Sequence, residues 1–143
     1  MKLAANKADV KTFSDWREMF QAMDKGIDIV SISTPDHMHG IMAMSAMNLG
    51  KHVYVQKPLA QTVGECRAMR EAAHQNKVIV QMGTQGASSF NDRTAVDWVQ
   101  RKLIGKISEA WVFCGKSWGD KNPLPDRKDA VPDGLNWDGW LGV

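Results

Sequence analysis

The chain has 143 residues, which suits one domain or a domain with part of another. Lys and Arg number 18 against 16 Asp and Glu, and this dispersed net charge of +2 gives no support to a nucleic-acid or membrane-surface role. With 43% apolar residues the chain can build a core, yet its most weakly charged stretch, 29–50, is broken by Pro35, Asp36, His37 and His39, whereas a bilayer span takes about 18 unbroken apolar residues.

The first helix is predicted over 15–25, with Ser14 as N-cap, Gly26 as stop, and Trp16, Met19, Phe20 and Met23 on its buried face. Residues 27–34 are β-branched and alternate poorly, as expected for a parallel strand covered on both faces, and Pro35 ends them. A second helix is expected over 38–49, closed by Gly50, with Ile41, Met42, Ser45 and Leu49 along one side. The methionines at 38, 42, 44 and 47 read as core packing rather than as a binding stripe. A short strand over 52–55 is stopped by Gln56-Lys57-Pro58. Thr62-x-x-Glu65 forms a capping box, and its helix runs to about Gln75 with Asn76 at the left-handed stop. Residues 78–82 make a third strand. This α-β-α-β-α-β order predicts right-handed crossovers and a parallel sheet, with Pro35 and Pro58 at the same edge.

After Gly83 the character changes. Ser89-x-x-Asp92 caps a helix expected over 90–103 and ended by Gly105, and 107–114 alternates enough to predict a strand of a different sheet. From 115 onward prolines, glycines and charges predict an extended, partly ordered segment. Residues 1–11 contain no apolar signal core, and the two cysteines, Cys66 and Cys114, stand in no metal or redox spacing, which fits a reducing, cytoplasmic setting. Doubly wound nucleotide-binding sheets open on a strand, a glycine-rich turn and a helix. No G-x-G-x-x-G occurs in this sequence, and it closes on irregular residues 135–143, so both ends read as cut.

Two clusters carry chemistry. Ser33-Thr34-Pro35-Asp36-x-x-His39 sits at the carboxyl end of a parallel strand, where open α/β sheets bind ligands. Its plain structural reading is a turn in which Pro35 ends the strand, Asp36 caps the helix, and His37 and His39 are solvated. The spacing of those histidines suits no metal set. In the second cluster, Gln56-Lys57-Pro58, the proline ends the ladder and presents the lysine at the strand tip, a position for an acid/base or electrostatic group.

These clusters, with Gly50-Lys51-His52-Val53-Tyr54-Val55 before the second, Gln81-Met82-Gly83-Thr84-Gln85-Gly86 after it and the tail Gly134-Leu135-Asn136-Trp137-Asp138, resemble the glucose-fructose oxidoreductase / inositol dehydrogenase family. The resemblance implies the second half of a Rossmann-type parallel sheet over 1–86, then a linker helix and the beginning of a C-terminal α/β domain over 87–143. It implies NAD or NADP as cofactor of the full-length protein and a sugar or cyclitol as substrate, and because half a Rossmann sheet leaves an edge and one face uncovered, an oligomer, or else a poorly soluble monomer, is expected. Lys57 matches the family's catalytic lysine beside the nicotinamide. Ser33, Thr34, Pro35, Asp36 and His39 in one cluster, and Gln56, Lys57 and Pro58 in the other, match cofactor-side positions. Gln56 stands where many members have Glu, so Lys57 lacks a neighbouring negative charge that favours its ammonium form. The family's phosphate-binding glycines and its Asp and His relay partners have no counterpart in these residues. The 143 residues alone are therefore expected to bind dinucleotide weakly or undetectably and to show no turnover. The competing expectation is a non-catalytic α/β module that self-associates or binds a partner.

Overall fold

The computed structural model describes residues 10–115, 119, 121–123 and 126–142. The chain divides into two compact units, one running to Thr84 and taking in the chain from Asp138, the other Gln85–Trp137. The first unit contains α1 (Trp16–Met23), β1 (Ile29–Ile32), α2 (His39–Asn48), β2 (His52–Gln56), α3 (Val63–Asn76) and β3 (Val80–Gly83). Beyond them come α4 (Phe90–Gln100) and the short α5 (Trp137–Leu141). No helix among the described residues is long and apolar enough to cross a membrane.

The three strands pair in the order β1-β2-β3, all parallel, as the alternation of strands and helices requires. Ile29 lies opposite His52 and Ile32 opposite Val55, while Val53 lies opposite Val80 and Gln56 opposite Gly83. One face of this sheet is sealed. Ile32, Val53 and Val55 pack with Phe20 of α1, Ala43, Ala46 and Met47 of α2, and Met69 and Ala72 of α3. Met42 and Met44 pack against this cluster and Met38 is buried, so the methionines fill the core as their spacing suggested.

The other face departs from expectation. Ile29 is 65% exposed and Ile79 70%, so β1 is not covered on both sides within this unit. β1 is also shorter than 27–34, because a strand persists only where a neighbour's backbone lies opposite, and Ser33 and Thr34 already turn away. On α2 the inward side is His39, Gly40, Ala43, Ala46 and Met47, whereas Ile41 and Leu49, expected along it, are exposed. This helix is apolar nearly all round, so hydrophobicity alone does not choose its buried face. Packing against β2 and α3 does, and it takes in Ala43 and Ala46 together with Met47 and His39, which are among the largest side chains fully buried in the unit.

Local capping chemistry sets the helix ends. Asp15, not Ser14, caps α1, its carboxylate accepting from the Arg17 backbone N–H at 2.8 Å. The Arg17 side chain, hydrogen-bonded to it, and that backbone N–H hold the Asp15 carboxyl below its ordinary range. The α3 box closes reciprocally: Glu65 N–H donates to Thr62 Oγ1 at 3.1 Å and Thr62 N–H to Glu65 Oε2 at 2.8 Å. Thr62→Ala removes one half of that box, and the unit should lose about 1 kcal/mol of stability, read from the shift of the urea midpoint. Asn76 is the last residue of α3 rather than its stop. Lys77 takes the left-handed position, with φ 54°. One tie was not read from the sequence: Lys51 Nζ donates to the Asp24 carbonyl at 2.6 Å and pairs with its carboxylate at 2.9 Å, joining the turn after α1 to the start of β2.

In the second unit Ser89 Oγ accepts from Asp92 N–H at 3.2 Å, the cap foreseen for α4. The helix stops at Gln100 instead of 103, since Lys102 and Gly105 both turn to positive φ. The strand expected over 107–114 is absent: these described residues are exposed and form no ladder. Alternation supplies two faces but no partner, and without a partner the backbone N–H and C=O groups face water. What remains of the alternation is local, with Trp111 and Phe113 on one side of the extended chain and their rings stacked at 6.3 Å.

Candidate functional site at the carboxyl edge of the sheet

Parallel register brings the two motif clusters together. Ile32 and Val55 are partners across β1 and β2, so each cluster begins within two residues of the same level on adjacent strands, about 4.8 Å apart. Ser33 and Asp36 are exposed, Thr34 is half-buried, and Lys57 is exposed at the tip of β2. The Lys57–Pro58 peptide bond is cis. All the sequence-predicted site residues therefore lie at this one edge.

Their environments differ. Asp36 opens a single 3-10 turn, Asp36–Met38, and caps nothing in α2, whose N-cap position is Met38 without a side-chain bond. The reading of Asp36 as helix cap is corrected accordingly. His37 is half-buried, its Nε2 lying 2.8 Å from the Trp140 carbonyl and its ring edge-on to that indole. His39 is not solvated either; it is 1% exposed. Its Nδ1 lies 2.6 Å from the Pro58 carbonyl oxygen and its Nε2 2.9 Å from that of Thr34. The Thr34 hydroxyl donates to Met42 Sδ at 3.6 Å.

Gln56 holds an unusual place. Its Oε1 is buried and has no hydrogen-bond partner among the described residues. Opposite it stands Gly83, where a Cβ would collide with the Gln56 amide and come within 3.1 Å of the Tyr54 hydroxyl. Gly83 thus leaves room for the Gln56 amide and the Tyr54 hydroxyl beside it, and sequence reading missed both. The signal lay in register, which pairs positions 27 residues apart (83 − 56 = 27) and is invisible along the chain. No group of three or more His, Cys, Asp or Glu among the described residues could hold a metal.

Comparison with known proteins places this edge in context. A levoglucosan dehydrogenase of Pseudarthrobacter phenanthrenivorans is 32% identical over 94 residues, 66% of this chain and 24% of that protein. A glycosyl hydrolase family 109 protein of a Shewanella species is 44% identical over 92 residues, 64% of this chain and 20% of that protein. Among solved structures, an inositol dehydrogenase homolog of Azotobacter vinelandii complexed with NAD+ superposes with a TM-score of 0.63 at 28% identity, over 66% of this chain and 25% of its own. The chain thus spans between a fifth and a quarter of the length of these relatives. The family model described as "Oxidoreductase family, NAD-binding Rossmann fold" matches residues 1–84. With its parallel strands, crossover helices and paired edge motifs, the chain belongs to that oxidoreductase family.

Proposed function

We propose that the chain forms the nicotinamide-side half of the dinucleotide domain of an NAD(P)-dependent oxidoreductase acting on a sugar or cyclitol. The observation that supports it is the meeting of the Thr34-Pro35 turn and the Lys57-Pro58 loop at one sheet edge, in a family whose fold binds NAD. The bound nucleotide supplies the carbon that exchanges hydride with the substrate carbinol. Lys57, exposed at that edge, takes the hydroxyl proton during oxidation and returns it during reduction. Ser33, Pro35, Asp36 and Pro58 shape the approach from the two loops. Gln56 fits such a ligand, because its buried, unpartnered Oε1 can accept an amide N–H of a carboxamide.

A domain division near residue 86, a cytoplasmic setting and a homo-oligomer belong to the same reading, the last supported by the apolar sheet face at Ile29 and Ile79.

Saturation-transfer NMR with NADH tests the proposal without requiring tight binding. The expected result is transfer to the nicotinamide protons and little to the adenine protons, at millimolar ligand, because no glycine-rich phosphate turn occurs in these 143 residues. Transfer confined to the adenine protons would overturn it.

A further inference from the structure

We infer that His37 presents the lone pair of its Nδ1 as a preset hydrogen-bond acceptor for a ligand hydroxyl at the rim of this edge. The chain from Asp138 returns to the first unit and seats itself on the turn Asp36–Met38. Three contacts hold it there. His37 Nε2 lies 2.8 Å from the Trp140 carbonyl oxygen, and the imidazole and the indole meet edge-on with their centroids 5.2 Å apart. Gly142, at φ 85°, lies so close to Met38 that an added Cβ would run into the Met38 sulfur. Its backbone angle and its neighbour both require glycine.

A carbonyl oxygen only accepts, so Nε2 carries the proton, and the neutral ring then has a lone pair on Nδ1. That nitrogen has no bond among the described residues. Nor is it one of their buried unpartnered side-chain atoms, which are Asp24 Oδ1 and Gln56 Oε1. Nδ1 is therefore open to solvent, in the turn that joins the Thr34-Pro35 corner to α2. The ring that carries it is held on one side by the Trp140 carbonyl and packed against the indole. An acceptor fixed before its ligand arrives gives up little rotamer freedom on binding. Its natural partner is an O–H group. A dinucleotide brings ribose hydroxyls to this edge and a sugar or cyclitol brings ring hydroxyls, so the chemistry is common to both. That either ligand comes here rests on the function proposed above, whereas the tautomer of the ring does not.

Two measurements test it. The first is 15N–1H correlation NMR of the imidazole rings of the chain, without ligand, in mildly alkaline buffer. His37 should be protonated at Nε2 and bare at Nδ1, and a ring protonated at Nδ1 alone overturns the inference. The second uses an enzyme that contains this chain, titrated with NADH and with myo-inositol. His37→Gln keeps a donor that reaches the Trp140 carbonyl but has no acceptor at the Nδ1 position. His37→Asn keeps an acceptor there but falls short of the carbonyl. His37→Gln should weaken binding of one of the two ligands by about three- to tenfold, and His37→Asn should weaken that ligand less. A loss for NADH assigns the acceptor to a ribose hydroxyl, and a loss for myo-inositol assigns it to the substrate. If both ligands bind His37→Gln as tightly as His37→Asn, or more tightly, the ring only pins residues 138–142 and the inference is overturned. Because the first measurement uses no nucleotide, its failure is distinct from that of the saturation-transfer experiment.

Discussion

Lys57→Ala, made in an enzyme that contains this chain, should lower kcat by about 10²–10⁴-fold, the usual contribution of a positioned acid/base group. Lys57→Arg should recover little of it. An arginine keeps the charge but stays protonated, so it cannot take the hydroxyl proton. Stability should hardly change in either variant, because Lys57 is exposed at the strand tip and takes no part in the core. Steady-state kinetics on both variants separate the roles. A fall in kcat with KM little altered marks a proton-handling group, whereas a rise in KM alone marks a cation that merely holds the ligand. The latter outcome would remove Lys57 from the chemistry while leaving the edge as a binding site.

Met47→Ala should destabilise the first unit by about 2–5 kcal/mol, a large share of the 5–15 kcal/mol that typically holds a domain together. Met47 is fully buried, and its side chain fills space among Phe20, Val55 and Met69 that no neighbour can reclaim without moving a helix. Ile41→Ala on the same helix is the control. Ile41 is 56% exposed, so its truncation should change stability by no more than about 0.5 kcal/mol. Chemical denaturation of the two variants measures the difference directly. Equal losses would mean that α2 turns its other side inward.

That pair of variants also marks where reading along the chain stopped. The sequence by itself determined what neighbours in the chain can decide: the α-β alternation that makes the sheet parallel, the Thr62 and Ser89 caps, and the prolines that bring both motif clusters to one edge. Each of these depends on residues within a few positions, where backbone geometry and side-chain reach are set by covalent connection. Only the tertiary structure decided the rest. α2 is apolar on nearly every side, so contact with the sheet and α3 chose Ala43, Ala46 and Met47 for the core and left Ile41 outside. Residues 107–114 alternate like a strand, but a strand needs a partner to share its hydrogen bonds, and they find none among the described residues. His39 looks from its neighbours like a solvated turn residue. Its burial and its two carbonyl contacts exist because Pro58 arrives from another strand, 19 residues away, at the level that parallel register dictates. Gly83 is required by Gln56 for the same reason, since register places the two side by side and leaves no room for a Cβ.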